Sequence, residues 1–405
     1  MKIRPLLLLP LLLASSSASD LPRLVDPALQ VRAGFDTNPA ATHGTTARVI
    51  GGADAATFAA GASFGLSWGE PGALKLTYAG ETVRFDGWDR EDYSTHRLGL
   101  SARVADGPRS TTLEASSLFV DGSRATLPSL SSANANAVAL WRERRRQWQH
   151  RAKLQSQTEI GPWLVRGGGT YLACDYRTRV VPTDVSFADR SDLQGFLDLG
   201  RRQDPDSLWF ASLRAGRQDQ AIVPLPNCEF DYSNRYTRLA LGWEGKILPR
   251  TTLAFVAGPD FRRYDGAVDP RVFADRDRTS LWFEGNLTAK PTPALTLTAR
   301  TARFEWLSST GKSAYRDTTA EGSLAWAATP RWTTRLTARL HRCEYYPAVR
   351  DDWESFLGAG VTHPLASRGT LALDLLWHRG WNGLDALPER DFRRFVLALH
   401  STWKL

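Results

Sequence analysis

Apolar and polar side chains alternate at every second position through most of this chain. The pattern is clearest in residues 277–304, where Leu281 and Phe283 alternate with Trp282 and Glu284 before a Pro-rich turn restarts the alternation. A period of two places successive side chains on opposite faces of a strand. The stretch therefore predicts two antiparallel strands joined as a hairpin.

The same unit recurs almost to the last residue and predicts about 18 strands, the first at 29–36 and the last at 392–405. Connections after even-numbered strands are short and contain Pro, Gly or Asp, whereas most of those after odd-numbered strands are longer and more polar. Tight turns on one side and long loops on the other are typical of transmembrane barrels. We predict an all-β, antiparallel up-and-down barrel with short periplasmic turns, long extracellular loops and both termini in the periplasm.

One face of the predicted sheet is apolar, and the other is rich in arginine and glutamine. Leu98, Leu241 and Leu373 belong to the apolar rows, and residues 149–159 carry a polar side chain at every odd position. A soluble sandwich buries an apolar inner face, and unpaired charge is costly to bury, so the polar face does not suit a dry core. We therefore expect lipid on the apolar side, water on the polar side and a closed sheet without edges.

The composition is that of a soluble protein, but it also fits a transmembrane barrel with a polar interior. A mean hydropathy of -0.33, with 42% hydrophobic and 23% charged residues, is that of a soluble protein. A barrel gives the same value because half of each strand faces a polar interior. Fifteen Trp against one Met indicate aromatic girdles at the membrane interfaces, although a large soluble β core would also use Trp.

The N-terminus has the features of a secretory signal peptide. Lys2 and Arg4 precede an apolar run at 6–13, and small residues follow up to Ala18, after which we place the cleavage site. This divides the chain into a signal peptide at 1–18, a short periplasmic segment at 19–28 and one outer-membrane barrel at 29–405.

Charge and reactive side chains exclude several functions. The formal charge of +8, of which Lys2 and Arg4 supply two units, is dispersed, so nucleic acid is not an expected partner. The 7 histidines have no i, i+4 pair and no zinc-type cysteine spacing, so we expect no metal site. Cys174 and Cys228 either form one disulfide or remain buried thiols.

Catalytic patterns are equally weak. Residues 61–65 match the Gly-x-Ser-x-Gly of a nucleophile elbow, but they lie in mid-strand rather than at a strand-to-helix turn. No Ser and His pair can be placed near a barrel rim. We expect no catalytic residue, no cofactor and no enzymatic activity.

The last strand carries Phe395, Leu397, Leu399, Trp403 and Leu405 on one face. This ending resembles that of porin-type outer-membrane β-barrel proteins, although Leu405 stands where Phe is usual. The resemblance implies insertion by the barrel-assembly machinery into the outer-membrane lipid and lipopolysaccharide of a Gram-negative bacterium. Residues 32–39 are similar to the Gly-aromatic-Asp-x-Asn opening of a loosely defined group of barrel porins, some of whose members are similar to proteins linked to exopolysaccharide export.

Basic residues on the inward face and in the longest loop are the candidate pore residues. The loop at 122–146 is the third long connection, and in porins the third loop often folds inward. We predict that it forms, with lumen arginines, a cationic constriction, because rings of basic side chains favour anions. The alternative is a solvated loop whose arginines pair with lipopolysaccharide phosphates. The pore-lining and constriction candidates are Arg97, Arg142, Arg144, Arg145, Arg146, Arg151, Lys153, Arg166, Arg214, Arg238, Arg300, Arg335 and Arg339.

The sequence favours a passive outer-membrane channel for small hydrophilic solutes, with a preference for anions or sugars. A barrel of about 18 strands is wide enough for such solutes. One alternative is a non-catalytic structural barrel of an envelope polysaccharide export system, which would conduct poorly alone. Another is a secreted all-β glycan-binding protein. The sequence is also compatible with a homo-oligomer.

Overall fold

Eighteen antiparallel strands pair in chain order, each with the strand before it and the strand after it. The computed structural model describes residues 21–39, 54–69, 73–122, 125–126, 146–180, 185–222, 230–266, 268–269, 274–309, 313–346, 350–365, 368–383 and 391–405. The strands are β1 (Arg23–Asp36), β2 (Ala55–Trp68), β3 (Leu74–Phe85), β4 (Tyr93–Asp106), β5 (Arg109–Asp121), β6 (Gln147–Ile160), β7 (Trp163–Tyr176), β8 (Arg190–Asp204), β9 (Ser207–Gln220), β10 (Asn234–Leu248), β11 (Thr251–Tyr264), β12 (Arg278–Thr292), β13 (Leu295–Leu307), β14 (Ala314–Thr329), β15 (Trp332–Tyr346), β16 (Arg350–Pro364), β17 (Gly369–Asn382) and β18 (Phe392–Lys404).

The sheet closes because its first and last strands pair. β1 and β18 are in register from the Ala28–Lys404 pair to the Asp36–Val396 pair. Closure pairs the edge strands with each other, which is the condition for crossing lipid. The predicted antiparallel barrel of about 18 strands is confirmed.

The predicted faces are confirmed as well. Cross-strand partners in an antiparallel sheet lie on the same face, so the register follows each apolar row around the barrel. The rows point outward, where Leu98 is 57% exposed, Leu241 70% and Leu373 50%. Together they form an apolar belt of the kind that lipid covers. A belt of this extent does not suit a secreted soluble protein, so the glycan-binding alternative is wrong.

The two ends of the barrel differ in their connections. At the turn end, two-residue connections occur at 107–108, 161–162, 205–206, 249–250, 293–294 and 330–331. At the loop end, connections include 37–54, 122–146, 177–189, 221–233 and 265–277. Two short sheets and the 3-10 helix Asp89–Glu91 also lie between barrel strands at the loop end.

Within the described residues, no helix is both long enough and apolar enough to cross a membrane.

The first strand begins at Arg23, earlier than the alternation predicts. Asp26 has a φ of 51°, and the register with β2 shifts between Val25 and Ala28. This irregularity resembles a β-bulge and interrupts the period of two, which conceals the start of the strand from the sequence pattern. Residues 23–28, predicted as part of a periplasmic segment, therefore belong to β1. The predicted signal peptide at 1–18 lies outside the described residues and stays a prediction.

At the loop end, the sheet parts between β12 and β13, and β13 moves into the lumen while β14 stays paired with β15 as far as Ala314–Tyr346. β12 and β13 stop pairing at Phe283–Arg303, whereas β13 and β14 stay paired as far as Leu307–Ala314. Residues 304–309 and 313–317 form what we name the β13–β14 tip.

Hydrogen bonds hold the β13–β14 tip against distant strands. The Gln218 side chain on β9 donates to the carbonyl oxygen of Glu305 at 2.9 Å. The backbone N–H of Ala188, just before β8, donates to the carbonyl oxygen of Ser309 at 2.7 Å. Strands β10, β11 and β12 separate these partners along the sheet. The tip therefore lies across the inner surface of this region and narrows the lumen at the loop end.

Candidate functional site

The lumen wall is the candidate functional site, and it has two parts. The packed wall consists of the lumen-facing positions of β7–β12 together with the β13–β14 tip, and most of its side chains are buried or half-buried. The open wall consists of the lumen-facing positions of the remaining strand segments, many of which are exposed. Both walls carry arginine, but the surroundings of the guanidinium groups differ.

Arg166 on β7 shows how the packed wall neutralises its cations. Its Nε donates to Oδ2 of Asp198 at 2.8 Å, and its Nη2 donates to Oε1 of Glu244 at 2.7 Å. The guanidinium carbon lies 5.1 Å from the centroid of the Phe210 ring. Asp198 is 2% exposed, so this charge pair is largely shielded from water. The charge of Arg166 is therefore neutralised by the acids of the packed wall, and the group presents little net charge to a solute.

Trp282 on β12 is the centre of the packed wall. Its side chain is 0% exposed and lies in an apolar cluster with Leu164, Phe210 and Val256. The guanidinium carbon of Arg214 lies 4.4 Å from the indole ring centroid. The guanidinium carbon of Arg238 lies 5.1 Å from the same ring. A lumen-facing tryptophan thus replaces water with cation–π and apolar contacts.

Asp260 on β11 joins two buried arginines. Its Oδ2 accepts a hydrogen bond from Nε of Arg238 at 2.9 Å and from Nη2 of Arg262 at 3.0 Å. Arg262 also donates from Nη1 to Oε1 of Gln218 at 2.9 Å. All of these side chains are nearly or fully buried. Losing the single carboxylate would leave two buried charges with fewer partners, which is costly.

Glu305 connects this network to the β13–β14 tip. Its carboxylate is 1% exposed and accepts a hydrogen bond from Nε of Arg278 at 2.9 Å. It also accepts one from the hydroxyl of Tyr264 at 3.2 Å, and Nε of Arg262 lies 3.5 Å away. These contacts attach the tip to the inner faces of β11 and β12. The tip is therefore held by charge as well as by the apolar contact of Leu307 with Tyr264.

The open wall keeps its cations accessible to solvent. Arg97 on β4, Arg151 and Lys153 on β6, and Arg335 on β15 are exposed, and no carboxylate of the described residues forms an ion pair with any of them. Arg300 on β13 is exposed as well, and its Nε donates to Oδ1 of Asn286 at 3.1 Å. These groups present positive charge to the water of the lumen, although Glu114 and Glu321 are the cross-strand partners of Lys153 and Arg300.

The structure separates the predicted pore residues into four groups. Arg97, Arg151, Lys153, Arg300, Arg335 and Arg339 lie on the open wall, and Arg339 is half-exposed. Arg166, Arg214 and Arg238 lie paired on the packed wall. Arg146 lies at the rim, with its Nε 3.2 Å from Oδ1 of Asp121. Arg142, Arg144 and Arg145 lie outside the described residues, so the predicted constriction by their loop stays a prediction.

Sequence reasoning missed the acidic partners and the tip. Asp198, Glu244 and Asp260 are not among the predicted pore residues, although they occupy the same lumen-facing parity as the arginines that they bind. The same alternation would therefore have predicted that these acids face the lumen. Glu305 gave no such signal, because its position in the alternation falls on the outward side of β13.

The closed sheet, the apolar belt and the polar lumen define the class of this protein: it is a porin-like β-barrel of the bacterial outer membrane. Neither a family model nor a curated protein matches the chain.

Similar solved structures come from Pseudomonas aeruginosa. OpdK with vanillate is 13% identical, with 94% of this chain and 99% of that chain covered and a TM-score of 0.42. OccK8 (OprE) is 11% identical, with 94% and 98% covered and a TM-score of 0.45. OccK2 (OpdF) in complex with glucuronate is 12% identical, with 94% and 98% covered and a TM-score of 0.43. At these identities and TM-scores, nothing follows about the solute of this chain.

Proposed function

We propose that this barrel is a passive channel for small hydrophilic solutes with a preference for anions. The observation that carries the proposal is the set of exposed cations on the open wall, Arg97, Arg151, Lys153 and Arg335, which form no ion pair with a described carboxylate. The packed wall contributes little net charge because its arginines are paired with acids. Solutes therefore meet a lumen whose accessible charge is mainly positive on one side.

The size of the expected preference follows from Coulomb's law. One cation about 8 Å from a monovalent ion in water contributes roughly 0.5 kcal/mol. An anion gains this energy and a cation loses it, so one site separates the two by about 1 kcal/mol, or roughly five-fold. Screening at about 0.1 M salt reduces the effect, and several sites increase it. We expect an anion-to-cation permeability ratio of a few-fold, which suits a weakly selective channel.

Reversal potentials in planar bilayers test this proposal. The purified barrel is inserted between solutions of unequal KCl concentration, and the zero-current voltage gives the permeability ratio. The wild-type protein should favour chloride, and the Arg97→Glu, Arg151→Glu double variant should lose or reverse that preference. The matched control is Arg263→Glu, because Arg263 is exposed on the outward face of β11. Its permeability ratio should equal that of the wild type.

Cation preference in the wild-type protein would overturn the proposed selectivity. So would a double variant that inserts, conducts and keeps the wild-type ratio. Each variant is checked for folding by its heat-modifiable migration in detergent gels, since a closed barrel resists unfolding until it is boiled.

A second candidate is a non-catalytic barrel of an envelope polysaccharide export system. The observation that favours it is the β13–β14 tip, which fills part of the lumen at the loop end. Such a barrel would pass solutes poorly without its partners. Liposome swelling separates the two candidates, because a channel admits small sugars at rates that fall with solute size. Liposomes that do not swell with any solute would favour the export role.

A further inference from the structure

Three side chains with metal-binding atoms converge on the lumen side of β14 and β15. Asp317 on β14 is the cross-strand partner of Cys343 on β15, and His341 lies two residues before Cys343 on the same face. One oxygen of Asp317, one nitrogen of His341 and the sulfur of Cys343 all lie within 4.8 Å of one another. No solute contact or wall pairing described above uses this group.

The distances within the cluster are centred on one nitrogen. Nε2 of His341 lies 2.9 Å from Oδ2 of Asp317 and 3.3 Å from Sγ of Cys343. In a tetrahedral zinc site, the bond lengths place neighbouring ligand atoms about 3.3–3.7 Å apart. The nitrogen–sulfur distance agrees with this range, and the nitrogen–oxygen distance is slightly shorter. The oxygen and sulfur lie within 4.8 Å of each other, so an ion bound by all three donor atoms requires the Asp317 and Cys343 side chains to rotate towards it.

The opposite nitrogen of the imidazole also has the expected neighbour. Nδ1 of His341 lies 3.7 Å from Oε2 of Glu354 on β16. Histidine ligands of metals usually direct their second nitrogen at a carboxylate, which fixes the ring and makes it a better ligand. A plain His–Asp ion pair accounts for the contact of Nε2 with Asp317 alone. It does not account for the thiol and the second carboxylate arranged around the same ring.

The surroundings favour a soft or borderline ion. Cys343 is 4% exposed and packs in a cluster with Trp306, Tyr315 and Tyr345. Sulfur and imidazole nitrogen select ions such as Zn²⁺ over Mg²⁺ or Ca²⁺, which prefer oxygen ligands. Apolar neighbours limit the access of water to the sulfur, which protects a metal–thiolate bond.

We propose that Asp317, His341 and Cys343 form a three-ligand site for a zinc-class transition-metal ion in the lumen wall, with Glu354 orienting His341. Binding forms a bond from the ion to each of the three donor atoms. The Cys343 thiol and Nε2 of His341 each release a proton to solvent, and the neutral ring keeps its remaining proton on Nδ1, which faces Glu354. A water molecule completes the tetrahedron on the lumen side. The site is independent of the anion preference, because none of its residues is an exposed open-wall cation.

Cadmium titration of the folded, detergent-solubilised barrel tests the site. Cd²⁺ bound to a thiolate gives a charge-transfer absorption in the ultraviolet, which reports the sulfur ligand directly. We expect this band to saturate at one equivalent in the wild-type protein. The Cys343→Ser variant should lose the band, and His341→Gln should weaken binding by more than 100-fold. Glu354→Gln should weaken it by about 10- to 100-fold, the usual effect of removing an outer carboxylate.

Cys174 supplies the matched control, because it is a second buried thiol on a lumen-facing strand position. The Cys174→Ser variant should keep the full band and the wild-type affinity. Absence of a saturable band in the folded wild-type protein would overturn the proposal. A band that persists in Cys343→Ser would also overturn it, since the sulfur would then come from another cysteine. Heat-modifiable migration of every variant excludes unfolding as the cause of a lost band.

Discussion

Arginine lines both walls of this lumen, yet it does different work on each. On the packed wall, Arg166, Arg238 and Arg262 donate to carboxylates at 2.7–3.0 Å and lie against aromatic rings. On the open wall, Arg97 and Arg151 have no such carboxylate among the described residues. The alternation places all of them on the same inner face. The two walls differ in whether the neighbouring strands place a carboxylate and an aromatic ring at the same height as the arginine.

This contrast separates structural charge from functional charge. A buried, paired guanidinium holds strands together but has almost no electrostatic effect on a solute that passes through the lumen. An exposed guanidinium adds little stability but contributes its field to the water around it. Substitutions on the packed wall should therefore change stability and pore width, while those on the open wall should change ion selectivity.

The largest effect is expected from Trp282→Ala. Removing a fully buried indole leaves a cavity and two arginines without their ring, so the free energy of unfolding should fall by about 3–5 kcal/mol. Single-channel conductance should rise, because Arg214 and Arg238 lose the ring that they cover and move towards the cavity, away from the lumen axis. Guanidinium unfolding in detergent and bilayer recordings measure both quantities.

The control for this substitution is Trp326→Ala, since Trp326 is outward-facing and 49% exposed. It should cost clearly less stability and leave conductance unchanged. Equal losses in the two variants would mean that the packed wall is not the stabilising part of the lumen.

Glu305→Gln should have an intermediate effect. The change removes the negative charge that Arg278 and Arg262 share, and we expect a loss of about 2–3 kcal/mol together with a higher conductance as the β13–β14 tip detaches. Glu321→Gln is the same change at an exposed open-wall position, and it should stay within about 0.5 kcal/mol of the wild type. Unchanged conductance in Glu305→Gln would show that the tip does not narrow the pore.

Salt should produce the smallest effect, and only on the open wall. Raising the ionic strength from about 0.1 M to about 1 M shortens the Debye length from about 10 Å to about 3 Å. The anion preference measured at a fixed concentration ratio should therefore decrease across this series. Buried pairs such as Arg238 and Asp260 are screened much less, so stability should change little. A selectivity that does not depend on salt would exclude exposed charge as its source.

The sequence pattern predicted the lumen-facing arginines but not their acidic partners or the β13–β14 tip. The alternation identified the lumen-facing arginines, and the parity of Asp198 and Asp260 would have identified their partners if acids had been followed in the same way. The β13–β14 tip could not be recovered, because Glu305 falls on the outward parity and is covered by the inner faces of β11 and β12 only where β13 leaves β12. The contact of Asp317 with His341 was equally hidden, since the two residues lie on different strands.

The alternation along the chain specifies the number of strands, their order and the face on which each side chain lies, because a period of two is a local property of the backbone. The alternation does not specify which inward charges meet, where β13 moves into the lumen or which thiol lies beside a histidine; the closed fold establishes these. These depend on the register between strands and on the curvature of the closed sheet, where a shift of one residue exchanges every partner.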